Sequence, residues 1–331
     1  MAVYRRLVYV ATALTLVVVV VGAYVRLSDA GLGCPDWPGC YGHLDVPDTA
    51  AEIAAAHAAY PDKPLDAGRA WKEMAHRYIA GALGVLILAI AVAAWRMRAR
   101  LGQAPWLATA LVGVVGVQAL LGKWTVTMLL KPAIVTGHLI GGMTTLALLC
   151  WLALRQGSGF ARRAGVGLRW QAGLGLGLLA GQIVLGGWVS TNYAALACTD
   201  LPTCQGTWVP AMDFDNAFHL VRELGMTAAG APLELPALTA IHWAHRLGAI
   251  VVAAWLGVLA VRLGKEPGYG LLALALLVAL LIQVSLGLAN IWFSLPLPVA
   301  VAHNGGAAVL LMLLVTINYR VRVRTHQPGW R

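Results

Sequence analysis

Four histidines, one glutamate and two cysteine pairs are the residues of this 331-residue chain whose types and spacing can do chemistry. His76, His138, His245 and His303 each stand inside a long apolar stretch, and Cys34, Cys40, Cys198 and Cys204 form two Cys-x5-Cys pairs between such stretches. They come in two matching sets. Cys34-Pro-Asp-Trp-Pro-Gly-Cys40 is answered by Cys198-Thr-Asp-Leu-Pro-Thr-Cys204, an offset of 198 − 34 = 164. Glu73-Met-Ala-His76-Arg77 is answered by His242-Trp-Ala-His245-Arg246, offset 242 − 73 = 169. Gln118 and His138 are answered by Gln283 and His303, offset 283 − 118 = 165. One unit has been duplicated, and each copy carries two histidines.

Two facing imidazoles in a helical bundle suit the axial positions of a haem. Zinc or copper held by two imidazoles alone would be short of ligands. A single histidine in such a setting is satisfied by a hydrogen bond between helices. Four of them, duplicated as pairs, ask for a common purpose.

The elements that must position these residues are membrane helices. Hydrophobic residues make up 60% of the chain and charged residues 11%, far outside the soluble range. Eight apolar stretches, 7–25, 71–95, 104–122, 133–154, 170–191, 238–261, 271–291 and 298–318, are each long enough to cross roughly 30 Å of hydrocarbon. The expected fold is all-α and integral to the membrane: eight transmembrane helices as two pseudo-repeated four-helix bundles, residues 1–160 and 161–331. The first stretch opens on Arg5-Arg6 like a signal peptide, but its length and its match to the fifth stretch keep it as a mature helix.

Charge sets the orientation. Arg5, Arg6, Arg96, Arg98, Arg100, Arg155, Arg162, Arg163, Arg169, Arg262, Lys265, Arg320, Arg322, Arg324 and Arg331 fall at the termini and alternate loops, against the single acid Glu266. The positive-inside rule then places both termini in the cytoplasm of a bacterial inner membrane. The net charge of +10 is a topology signal that also attracts anionic lipid. Basic residues scattered over five short segments exclude nucleic-acid binding.

The second, fourth, sixth and eighth helices then run from outside to inside. Each histidine falls about five to seven residues past the outer start of its helix, roughly 7–10 Å below that boundary. Long loops at 26–70 and 192–237 face outside and open with the cysteine pairs. That compartment is oxidising, so disulfides Cys34–Cys40 and Cys198–Cys204 are expected. They serve either as staples of a lid or in thiol–disulfide exchange. Cys150, alone within the fourth helix, reads as a small core residue.

Residues 48–60 and 216–226 read as short amphipathic helices covering the outer surface. Trp71, Trp124, Trp188, Trp243 and Trp292 read as an outer aromatic belt. Gly-Gly pairs at 141–142, 186–187 and 305–306 permit close approach. Gln118 and Gln283 read as bonds between helices, and Arg77 and Arg246 as candidates for haem propionates or for snorkelling to the interface.

The copies differ where Glu73 stands in the first and His242 in the second. Positions i and i+3 share a helix face, so Glu73 looks toward whatever His76 binds. It acts there as a base or stabilises positive charge, or else it pairs with Arg77 or Lys72. Unequal neighbours imply one haem that reacts and one that relays electrons.

With Glu73-x-x-His76-Arg77, His138, His245-Arg246, His303 and the outer cysteine pairs, the chain resembles the haem A synthase family over nearly its whole length. The resemblance implies an oxidoreductase that oxidises the C8 methyl of haem O to a formyl group, through successive hydroxylations and loss of water from a geminal diol. It implies that His245 and His303 ligate a haem b and that His76 and His138 hold the substrate haem O, with Glu73 near the reacting methyl. It implicates the Cys34–Cys40 pair in activity, whereas a second-loop pair is not universal in the family. His242 competes with His245 as ligand, though its match to Glu73 argues against it. The implied partners are haem O synthase, terminal oxidase assembly, an unidentified electron acceptor and membrane lipid, with a homo-oligomer left open.

Two rival classes remain. A non-catalytic di-haem electron-transfer cytochrome predicts two equivalent sites and no use for Glu73. A transporter built on parallel repeats would put its polar groups at the midplane rather than the outer end.

Overall fold

A computed structural model describes residues 1–157 and 164–322. Arg162, Arg163, Arg324, Arg331 and the expected unit boundary at 160/161 lie outside these. Eleven α-helices form among the described residues: α1 (Ala2–Leu27), α2 (Ala50–Ala59), α3 (Ala67–Arg96), α4 (Arg98–Leu101), α5 (Trp106–Thr127), α6 (Pro132–Arg155), α7 (Val166–Thr191), α8 (Phe214–Ala217), α9 (Leu235–Gly264), α10 (Gly270–Trp292) and α11 (Leu297–Arg322). Eight of them, α1, α3, α5, α6, α7, α9, α10 and α11, are long and apolar enough to cross a membrane, and they fall on the eight expected stretches. The chain is a multi-pass, all-α membrane protein.

Local chemistry explains the ends. Asp66 caps α3 by accepting a hydrogen bond from the Arg69 amide at 3.0 Å, and Pro132 starts α6 at a position where its missing N–H costs nothing. The hairpin between α5 and α6 closes through Leu129 and Leu130, both left-handed (φ 50° and 58°), and that between α10 and α11 through Ser294 and Leu295 (φ 55° and 64°). Non-glycine residues take this conformation at a cost. Here it permits interhelical turns of only a few residues.

The helices pack in two rings of four. In the first, α1 meets α3 and α6, and α5 closes the ring between α3 and α6. In the second, α7 meets α9 and α11, and α10 closes between α9 and α11. The rings join along α1, α6, α7 and α11, which also pack on one another. An apolar cluster runs from this joint into the second ring, where Leu146, Leu256, Leu259, Leu276 and Leu314 have no exposed surface. Outward faces carry exposed Val85, Leu88, Ile250, Val251 and Leu271, as lipid requires.

Above the rings lie the two long loops. The segment expected at 48–60 forms α2, started by a capping box in which the Glu52 amide donates to Thr49 Oγ1 and the Thr49 amide to Glu52 Oε2. The segment 216–226 does not form a helix. Asp213 caps a single turn, α8. Beyond it Arg222, 5% exposed, donates to Asn192 Oδ1 at 2.5 Å and to the His219 and Met226 carbonyls, which binds the chain in an irregular path ending at left-handed Gly225. Burying that guanidinium among acceptors outweighs the local helix pattern. Trp188 is likewise no belt residue: at 4% exposure it lies under the second loop and donates to the Ala217 carbonyl at 2.8 Å. Trp71, Trp124 and Trp292 are exposed.

Candidate functional site

In each ring the two histidines stand on opposite helices, His76 on α3 and His138 on α6, His245 on α9 and His303 on α11. All four are half-buried. Among the described residues no three His, Cys, Asp or Glu side chains gather as metal ligands, so the available donor set is the imidazole pair.

Every one of these rings lies against a glycine of the neighbouring helix. A Cβ on Gly22 would meet His76 Cε1 at 2.9 Å, on Gly122 His138 Cε1 at 3.3 Å, on Gly186 His245 Cε1 at 3.1 Å, and on Gly287 His303 Cε1 at 3.1 Å. Only the absence of a side chain lets the imidazole sit there. Sequence reading singled out Gly186 but missed Gly22, Gly122 and Gly287, whose shared signal was position four after Gln118, Gln182 or Gln283, or after Val18.

Three of those glutamines reach the histidines. Gln118 Nε2 donates to the His138 carbonyl at 2.8 Å, and Gln283 Nε2 lies 3.5 Å from His303 Nε2. Gln182 Nε2 lies 3.0 Å from His245 Nδ1 and donates to the His245 carbonyl at 3.0 Å. Gln182 was not foreseen from sequence.

The glutamate is turned upward to the first loop. Glu73, 5% exposed, accepts from the Cys34 amide at 2.9 Å and from Arg77 Nη2 at 2.5 Å. Arg77 also donates to the Pro38 carbonyl at 3.2 Å and to that of Gly39. The loop can come this close because residue 33 is glycine: a Cβ there would meet the Arg69 carbonyl at 2.6 Å.

Arg246 treats the second loop alike, donating to the carbonyls of Cys198 (2.8 Å), Asp200 (3.0 Å) and Thr203 (2.9 Å). Its Nε donates to His242 Nε2 at 3.3 Å, so His242, 4% exposed, is turned to Arg246. Both guanidiniums thus latch the cysteine loops to the helices beneath.

Both expected disulfides are formed, Cys34–Cys40 and Cys198–Cys204. Each loop is wrapped around an aspartate. Asp36 accepts from the Tyr41 and Gly42 amides, and Asp200 from those of Gln205 and Gly206 and from the Thr203 hydroxyl. These donors, led by Thr203, hold the Asp200 carboxyl down at about 2. Cys150 is free and buried, beside the Met312 carbonyl and Thr316 Oγ1.

The residues present fit a haem. The Nδ1 atoms of His76, His138 and His303 are buried with no hydrogen-bond partner, as are the Oε1 atoms of all three glutamines. Four imidazoles held by glycine cradles, three of them with a glutamine nearby, are a donor set suited to axial ligation.

Paired imidazoles across two four-helix rings, lidded by cysteine loops, define a membrane protein of the haem-handling class. The family model described as cytochrome oxidase assembly protein matches residues 5–315. A protein of Shewanella oneidensis named heme A synthase is 45% identical over 86% of this chain and 86% of its own length. Proteins of that name from Methylobacterium radiotolerans (29% identical, 88% of this chain and 83% of theirs) and Halalkalibacterium halodurans (26%, 70% and 72%) are similar too. The chain belongs to the haem A synthase family of cytochrome oxidase assembly proteins.

Proposed function

We propose that this chain is a haem A synthase, an oxidoreductase of the bacterial inner membrane that converts the C8 methyl of haem O to a formyl group. The observation that carries the reading is the asymmetry between two otherwise matching sites. Glu73 sits one helical turn before His76, paired with Arg77 and tied to Cys34, where the other ring has His242. The names of the relatives point the same way.

In this reading residues 1–160 form the substrate unit and residues 161–331 the electron-relay unit. His76 and His138 hold haem O between α3 and α6, and His245 and His303 are the ligands of haem b. Haem b, when bound, supplies a one-electron relay. Glu73 sets a fixed negative charge beside the substrate, stabilising positive charge at the carbon being oxidised. Arg77 and the Cys34 amide keep that carboxylate in place. The loops, latched by Arg77 and Arg246, exclude water, and free N–H groups of these arginines are available to propionates. Both termini face the cytoplasm and the cysteine loops face outside, as the basic residues indicate. Haem O synthase delivers substrate, the oxidase assembly takes product, and electrons leave to an acceptor.

The test is chromatography of haems extracted from membranes holding this chain and a source of haem O. A haem A peak that depends on the chain is the expected result. Haem B alone, with haem O available, would overturn the synthase reading in favour of an electron-transfer cytochrome.

A further inference from the structure

The glutamines divide the four histidines unequally. By the 164-residue offset of the first and fifth helices, Gln182 corresponds to Val18, and Gly186 to Gly22. Each glutamine also needs room on the facing helix, and each finds it at the glycine three residues past its histidine. Gln118 Oε1 lies where a Cβ of Gly141 would be, Gln182 Oε1 where that of Gly248 would be, and Gln283 Oε1 where that of Gly306 would be. At the matching place past His76 stands Ile79. His138, His245 and His303 each have a glutamine beside them, whereas the positions that match such a glutamine and its glycine around His76 are Val18 and Ile79.

We infer that Gln182 is a positioning residue that makes His245 a permanent haem ligand, and that its replacement by Val18 leaves His76 as the ligand that lets go. This rests on the assignment of haem sites made above. An imidazole bound to iron through Nε2 carries its proton on Nδ1, and an acceptor for that proton fixes the ring and raises its basicity. Gln182 is already in contact with His245 Nδ1 at 3.0 Å and anchored to the His245 carbonyl, and its Oε1 is buried without a partner. When the proton is on Nδ1, turning the Gln182 amide over exchanges Nε2 for Oε1 at that atom, giving up the bond to the His245 carbonyl and setting the oxygen as acceptor. The Nδ1 atoms of His76, His138 and His303 are buried with no partner. A substrate site must release its haem on every turnover, whereas a relay site must keep its own. Of the four imidazoles, only that of His245, in the second ring, has a glutamine at its Nδ1.

A glutamine that merely glued helices together would affect stability but not the iron. The test therefore uses holoprotein in detergent and reads two quantities: the midpoint potential of each haem, and its rate of transfer to excess apomyoglobin. His76→Ala assigns the fast-released haem and His245→Ala the retained one. Gln182→Leu is expected to raise the potential of the retained haem and speed its loss about tenfold. Gln182→Glu, which keeps an acceptor, is expected to restore retention and lower the potential. The double change Val18→Gln with Ile79→Gly should slow loss of the haem in the first ring. Unchanged potential and release rate in Gln182→Leu would overturn the inference while leaving the haem sites standing. Retention of that haem in His245→Ala would overturn both, because the site itself would be misassigned.

Discussion

The Cys34 amide donates to Glu73 Oε2 across 2.9 Å, joining the first disulfide loop directly to the carboxylate one turn before His76. The disulfide and the glutamate are thus parts of one assembly. A change at either end is felt at the other.

Glu73→Ala removes the acceptor of both Cys34 N–H and Arg77, leaving a largely buried guanidinium without its partner, a loss of about 3 kcal/mol. Haem A formation is expected to disappear while haem b, in the other ring, stays. Extracted-haem chromatography beside the reduced-minus-oxidised spectrum checks this. Intact turnover would remove Glu73 from the mechanism.

Glycine cradles offer a cleaner separation of the two rings. Gly186→Ala puts a methyl 3.1 Å from His245 Cε1, so the imidazole must shift and haem b is expected to be lost. Gly22→Ala, with its contact at 2.9 Å to His76, should spare haem b and abolish product. Circular dichroism should show unchanged helix in both, since alanine favours helix over glycine.

The ligand histidines give the coarser version. His245→Ala and His303→Ala are expected to lose haem b, and His76→Ala and His138→Ala to keep it but fail to convert haem O. Pyridine haemochrome content per chain decides between these outcomes.

Asp200 supports a prediction in pH. Its folded-state value of about 2 lies below the ordinary 3.8, so its clamp on the second loop is fully present above the ordinary value and is lost as pH falls through the depressed one. Slow exchange of the Gln205 and Gly206 amides should persist from neutral pH down to about pH 4. Asp200→Ala should speed their exchange at every pH in that window.

The eight spanning helices were legible because hydrocarbon demands about twenty apolar residues in a row, a demand written locally in stretches such as 271–291. The histidines were legible because an ionisable group there is costly. The residues 216–226 misled because a helical pattern on a surface loop is weakly held. Arg222 found acceptors in Asn192, His219 and Met226, and Asn192 lies far away in the chain.

Sequence by itself determined the membrane class, the eight helices, the matching constellations and the candidate histidines, since hydrophobic length and residue type are local properties of the chain. Tertiary structure decided what each polar group faces. It turned Glu73 to Cys34, Arg246 to the Cys198 loop, each histidine to a glycine, and Gln182 to His245. Such pairings depend on helix rotation and on backbone approach between distant segments. Those follow from the packing of all eight helices together, and no single stretch of sequence carries them.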